Sequence, residues 1–308
     1  MTTASRYRVF NDTQWELISG LLPSNEGRRG RPFGDDRRVI EGIVYRYRTG
    51  IPWRDLPRSE FGPWQTVWKR HRRYAGDGTW DRVLMALLAT ADADGQLDWT
   101  VSIDATINRA HQHATNMTRP DQDTGGRVEL HESPPLHECE PAGHGIGRSR
   151  GGLTTKIHTA VDGRGRPLAV VVTGGQRNDG AMLSQVLEEI VVPRYRGRAR
   201  SRPDAVIADR AYSSGVTRRF LRARRITAVI PQKRDEIANR KRRGSAGGRP
   251  PALDEIRYKQ RNLVERSYAL LKQWRGLATR YDKLAIVYRA AVVLSACITW
   301  ARQIGDTP

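Results

Sequence analysis

The chain has 308 residues, with 53 Lys+Arg against 33 Asp+Glu, a net charge of +20 and a pI near 10.8. That length buries a full core with room for two domains, and a cationic surplus of this size favours a polyanionic partner, nucleic acid being the commonest. Cys139 and Cys297 lie far apart and imply no disulfide framework, and Met1 to Leu22 carries Arg6, Arg8, Asp12 and Glu16 with no apolar run, so a cytoplasmic protein without a signal peptide is expected.

Residues 1–95 read as helical. Asp12 opens a first helix with Trp15, Ile18, Leu21 and Leu22 as its stripe, and Val39, Ile40, Ile43, Val44 and Tyr47 mark a second. Gly50 and Pro52 end that second helix. Gly62-Pro63-Trp64 opens a third, in which Lys69, Arg70, Arg72 and Arg73 stand beside Val67 and Trp68. Val83, Leu84, Leu87, Leu88 and Ala91 predict a fourth. Helices on short turns, one densely basic, suit a helix-turn-helix type of DNA reader. A solvated charged face fits the pattern equally well. Trp64, Trp68 and Trp80 read as core packing.

From Trp99 the texture changes. Trp99 to Asp104 alternates like a strand, residues 112–150 read as a loop, and Thr154–Val161 with Arg166–Thr173 forms a hairpin around Asp162-Gly163. Ala181–Ile190 reads as a helix, Asp204–Asp209 as a buried strand, Ser214–Arg225 as a basic helix and Ile226–Ile230 as a strand. Residues 194–249 hold 18 Lys+Arg against four acids, and residues 233–251 read as a basic linker. Within it, Arg240, Lys241, Arg242 and Arg243 suit phosphate contact. Ala290 to Ala301 is uncharged but short of the ~20 residues of a membrane span, so it reads as a buried helix, with no membrane partner.

Asp104 and Asp209 each stand at the expected C-terminal end of a strand, where α/β sites gather. Tyr258, Arg261, Glu265 and Lys272 fall within a sector about 60° wide on one expected helix, with Leu263, Leu270, Trp274 and Leu277 nearly opposite. Three carboxylates of this kind suit Mg²⁺, and a pair of such ions promotes in-line displacement at phosphorus. Singly, each acid also fits a turn former, a cap or a surface ion pair.

The spacing Tyr258-x2-Arg261-x3-Glu265-x6-Lys272 and the two strand-end acids resemble the DDE transposases of bacterial insertion sequences, in the insertion-sequence-five branch. Val101-Ser-Ile-Asp104-Ala-Thr resembles the family's first-Asp strand, Val206-Ile-Ala-Asp209-Arg-Ala-Tyr212 its second-Asp segment and Asn262-Leu-Val-Glu265-Arg its Glu segment. Thr49-Gly-Ile-Pro-Trp-Arg-Asp-Leu-Pro57 and Phe61-Gly-Pro-Trp-Gln-Thr-Val resemble its N-terminal helical domain.

The resemblance implies an α/β, RNase H-like catalytic domain over residues 96–308, preceded by an all-α, helix-turn-helix-like DNA-binding domain over residues 1–95. Asp104, Asp209 and Glu265 would be catalytic and would ligate two Mg²⁺ ions, with Mn²⁺ able to substitute. Tyr258, Arg261 and Lys272 would hold DNA near the cut. The partners implied are double-stranded DNA, both element ends and target, and a second copy of the chain in a dimer on paired ends. The activity implied is DNA binding, endonucleolytic cleavage and strand transfer in DNA transposition and recombination. The 55-residue interval between Asp209 and Glu265 implies a compact core without a large β-rich insertion. A purely hydrolytic nuclease and a non-catalytic DNA-binding regulator remain the alternatives. His131, His137, Cys139 and His144 match no common zinc spacing, and no Gly-x-x-x-x-Gly-Lys-Ser/Thr loop supports ATP use.

Overall fold

Residues 7–24, 34–116 and 140–306 are described by a computed structural model of the chain, and helices dominate up to residue 93. Helix α1 (Asp12–Ser19) is capped by Asn11, whose side chain accepts the Gln14 N–H while Gln14 returns a bond to the Asn11 N–H. Helix α2 (Asp36–Thr49) is capped by Asp35 and ends at Gly50, φ 74°, whose N–H reaches Arg46 O at 2.8 Å. A Cβ on Gly50 would also lie 2.9 Å from the Arg275 Cβ, so glycine is required there twice over. Short α3 (Arg58–Phe61) leads to α4 (Trp64–Gly76) and α5 (Thr79–Ala93).

The sheet follows. Strand β1 (Thr100–Ala110) is succeeded by α6 (Gln112–Thr115), β2 (Gly147–Ser149), β3 (Gly152–Val161) and β4 (Pro167–Gly174). After α7 (Asp179–Glu188) come β5 (Ala205–Ile207), α8 (Gly215–Ala223), β6 (Thr227–Val229), α9 (Arg234–Arg242) and α10 (Glu255–Tyr258). Helix α11 (Asn262–Lys272), α12 (Arg275–Ala278), β7 (Thr279–Arg280) and α13 (Ala285–Gly305) complete the order.

Strand β3 lies antiparallel between β1 and β4, and β5 and β6 continue the sheet parallel to β1. An antiparallel three-strand unit extended by parallel strands, in the order β4-β3-β1-β5-β6, is the RNase H-like arrangement. The edge of β1 away from β3 pairs with β5 only as far as Ser102–Ile207 and with β7 only from Arg109. Between them that edge is open.

Helix α13 organises the core. It packs against α1, α4 and α5 on one side and β4 on another, and its side chains are buried nearly all round. Trp300 is fully buried, with its indole N–H donating to Pro167 O at 2.7 Å. One continuous apolar cluster therefore runs from Phe10 through the sheet to Trp300, across the boundary near residue 95 that the sequence reading draws. The start of α13 has no cap of its own. Glu140 supplies one, accepting the N–H groups of Ala285 and Ile286 at 2.6 and 2.9 Å.

Some expectations hold and others change. Helix α13 has 21 residues, long and apolar enough for a span by composition, yet 78% of its most apolar window is buried inside the protein. Within the expected 112–150 loop, α6 forms, and β2 pairs with the start of β3. His131, His137 and Cys139 lie outside the described residues. The expected 233–251 linker contains α9, because Glu236 closes a first-turn bond to the Lys233 N–H and three basic residues fill the last turn. Between Asp209 and Glu265 the described strands number one, β6.

A buried polar knot joins α2 and α4 to α13. His71 lies within 3.0 Å of the Tyr47 hydroxyl and 3.2 Å of Val287 O, beside the buried Arg46–Asp282 pair. Burial pushes the His71 imidazole down to about 4 against the pull of Asp282 and Val287 O. A histidine held neutral this way supports folding fully above about pH 6.5, and that contribution drains away as pH falls toward 4. Thermal midpoints measured across this window should therefore fall on acidification, and His71→Gln should remove roughly 2–3 kcal/mol of that dependence. An unchanged pH profile in the variant would refute the assignment.

Candidate active site

Asp104 sits mid-way along β1 and not at its end, because pairing with β3 carries the strand on to Ala110. Its side chain is nonetheless partly exposed, and β5 stops at Ile207, leaving the β1 edge without a strand partner beside it. Asp209 follows β5 by two residues and accepts the Ala211 N–H at 2.8 Å, capping the turn Arg210–Tyr212. The cap is the ordinary use of such an Asp, and here it fixes the carboxylate at the end of β5.

The expected single helix is broken: α10 and α11 are joined by a tighter 3-10 turn over Lys259–Arg261. Its buried stripe is Val264, Tyr268 and half-buried Leu271, packed on Val161 of β3, whereas Leu270 is 63% exposed. Trp274 and Leu277 belong to the following segment because α11 ends at Lys272. The polar sector thus borders the buried face and is not opposite it. That tilt brings Arg261 over the sheet.

Arg261 forms the central contact. One guanidinium nitrogen lies 3.0 Å from Asp104 Oδ2, and the other pairs with Glu265 Oε1. Burial works against the charge on Arg261, but Asp104 and Glu265 outweigh it and hold the group above its ordinary value. Burial likewise raises Asp104, opposed by the Ala105 N–H at 2.8 Å and by Arg261, and reinforced by Asp209 and Asp179. Lys272 donates to Ile107 O at 3.2 Å, its ammonium weakened by partial burial. Tyr258 packs toward Ala205, Ile207 and Val229, on the β5–β6 side. Among the described residues no three acidic, His or Cys side chains are gathered closely enough to hold one ion. Asp104 and Glu265 share Arg261 in this state, and Asp209 stands beside them.

Sequence reasoning missed three residues. Tyr268, buried, donates its hydroxyl to Asp104 O at 2.6 Å; its placement three residues after Glu265 on the buried stripe was the available signal. Asp179, at the start of α7, adds a fourth acid near Asp104 and is itself held by Lys156 at 2.9 Å. Tyr212 is buried with an unpartnered hydroxyl, raised by burial and by the surrounding Asp104, Asp179 and Asp209. An all-oxygen donor set whose charge draws in a guanidinium, beside an unpartnered hydroxyl, fits a hard divalent cation.

Of the basic residues on α4, Lys69 and Arg73 are exposed and Arg72 lies over the Trp68 ring at 4.8 Å. Arg70, expected among the DNA contacts, is instead 6% exposed and engaged with Asp36 of α2 and the Tyr74 hydroxyl, so it packs between helices and is not on the exposed face of α4. At the end of α9, Lys241, Arg242 and the capping Arg243 are exposed while Arg240 bonds Gln232 at 3.0 Å. Glu236 accepts from Ser213 at 2.7 Å, which ties this basic helix to the segment carrying Asp209. Trp80 is core, as expected, and Trp64 and Trp68 are half-buried.

Residues 95–300 match the family described as "Transposase DDE domain", and residues 10–84 match "Putative transposase of IS4/5 family". The chain belongs to the DDE transposases. The first match spans more than half of the chain, and the chemistry of that domain depends on a divalent metal. Among relatives, "Uncharacterized protein y4sN" of Sinorhizobium fredii is 38% identical over 38% of this chain and 86% of its own length. "Putative transposase for insertion sequence element IS402" of Burkholderia cepacia is 36% identical over 47% of this chain and 61% of its own length. "Putative transposase for insertion sequence element IS6501" of Brucella ovis is 29% identical over 49% of this chain and 100% of its own. The solved Mos1 transposase paired-end complex aligns over 81% of this chain and 82% of its own at 12% identity, with a TM-score of 0.24.

Tyr268→Phe keeps the buried ring and removes the hydroxyl's bond to Asp104 O together with its longer contact to Ile157 O at 3.5 Å. Denaturant unfolding should show a loss of about 1 kcal/mol. A loss near zero would mean that the hydroxyl does not hold β1 to α11.

Proposed function

We propose that this DDE transposase binds the terminal inverted repeats of its own insertion sequence, cuts DNA there and joins the freed 3′ end to target DNA. The observation that supports this most directly is Arg261 between strand-borne Asp104 and helix-borne Glu265, next to Asp209. Asp104 and Glu265 pair with that one cationic group, which also feels the charge of Asp209.

Asp104, Asp209 and Glu265 would hold two Mg²⁺ ions, replaceable by Mn²⁺, which when bound supply Lewis acidity for an attacking and a leaving oxygen. Burial raises Asp104, and the Ala105 N–H and the Arg261 guanidinium oppose that rise. Arg261, once released from its carboxylates, offers a planar fork to a DNA phosphate. Lys272 adds a second cation on the same helix. Tyr258 would approach DNA from the β5–β6 side, and Lys241, Arg242 and Arg243 would add phosphate contacts from the end of α9. Tyr268 positions Asp104 through the backbone. The 1–95 helices would read the repeat through α4, with a catalytic unit over 96–308, and a dimer would synapse two ends in the bacterial cytoplasm, close to the nucleoid.

Asp104→Ala, Asp209→Ala and Glu265→Gln should each abolish cutting of end-bearing DNA with Mg²⁺ or Mn²⁺ while end binding persists. Retained cutting in any of them would remove that residue from the site. Joined end–target product separates a transposase from a purely hydrolytic nuclease.

Replacing Lys69, Arg72 and Arg73 by Gln should weaken end binding and lower its salt slope by about 3. Unaltered affinity would place the repeat-reading surface elsewhere.

A further inference from the structure

Between α7 and β5 the chain runs through Arg194-Tyr-Arg-Gly-Arg-Ala-Arg-Ser-Arg202, five arginines at alternate positions with no acid among them. The base of this loop is built. Val192 and Arg200 exchange two backbone hydrogen bonds at 2.9 and 2.8 Å. Arg194 reaches Asp92 at 3.3 Å; Arg200 bonds Asp204 at 2.9 Å and lies over the Trp99 ring at 3.9 Å. Two of the five arginines therefore fasten the loop to the body.

The tip is left outward. Arg196, Arg198 and Arg202 are exposed and have no acidic partner among the described residues. Tyr195 is 97% exposed, more than any other large apolar residue described. Gly197 turns the chain with φ 87°, and nothing lies within 4 Å of where its Cβ would be. A merely solvated charge run needs neither a paired stem nor a projecting aromatic ring. Closely spaced like charges also repel one another until an anion neutralises them.

The shape of the tip selects among anions. Arg-Gly-Arg is narrow at its centre and cationic on both sides, which suits a groove about 6 Å wide with acceptors on its floor. A·T-rich duplexes have the narrowest minor groove and the strongest negative potential in it. Glycine lets the backbone approach that floor while the flanking guanidinium groups run along it. We propose that residues 193–202 form a finger that enters the minor groove of A·T-rich duplex DNA, with Arg196 and Arg198 reading the floor and Tyr195 packed on the wall.

The finger is separate from the proposed metal-binding acids. Its stem joins the sheet at Asp204, whose N–H meets Trp99 O just before β1, and Asp209 lies five residues on, past the end of β5, roughly 15 Å away. Duplex held here is remote from the bond being cut. The inference rests on the reading of this chain as a DNA-acting transposase but not on its metal chemistry.

The test uses the full chain and fluorescence anisotropy on A·T-rich and G·C-rich duplexes of equal length, with and without netropsin as a minor-groove competitor. Wild type should prefer the A·T-rich duplex about tenfold and lose that preference with netropsin. The Arg196→Gln/Arg198→Gln double variant should bind both duplexes alike, with a salt slope lower by about 2, and Tyr195→Ala should show a partial loss. Matching thermal midpoints would confirm that these exposed changes leave the fold intact. Wild-type preference in the double variant, or a preference that netropsin leaves untouched, overturns the finger while the transposase reading stands. Failure of wild type to bind either duplex overturns both.

Discussion

Like charges held close together in a half-buried place repel, and much of the architecture around β1 serves to offset that repulsion. Asp104, Asp209 and Asp179 come from a strand, a strand end and a helix start. Each has its own counterweight: Arg261 and the Ala105 N–H for Asp104, the Ala211 N–H for Asp209, Lys156 for Asp179. Arg261 is the one of these counterweights shared with another acid, since it also pairs with Glu265.

The geometry that makes this possible comes from two unequal strands. Strand β1 is long because β3 pairs with it almost throughout, while β5 is short. The mismatch opens an edge at Asp104 without ending the strand that carries it. Helix α11 then closes over the sheet through Val264 and Tyr268, and the tyrosine hydroxyl fixes the height of Asp104 relative to Glu265. The α1–α5 layer is bound to the same body through α13, so the basic α4 surface is held by a common core and not by a tether.

Most strands and helices along the chain were legible because their signals are local. Asp162-Gly163 marks the β3–β4 turn, and Pro63 marks the entry to α4. Alternation ceased to help at Asp104, where the strand continues only because β3, distant in sequence, supplies a partner. The apolar face of α11 was misread for a related reason. Leu263 and Leu270 outweigh Val264 in hydrophobicity, but the helix is rotated by Tyr268, whose hydroxyl needs a buried acceptor. Arg70 carries the same lesson, since its inward turn depends on Asp36 of another helix. Asp179 was invisible because an acid at a helix start looks like an ordinary dipole partner.

Helix α13 has a consequence for biosynthesis. It leaves the ribosome after every other described element, yet the α1–α5 layer and the sheet meet largely through it. Until it emerges, both layers present greasy faces with nothing between them, and Glu140 waits for a helix end that does not yet exist. Maturation of this chain is therefore expected to be concerted, with nascent chains vulnerable to aggregation until α13 has emerged.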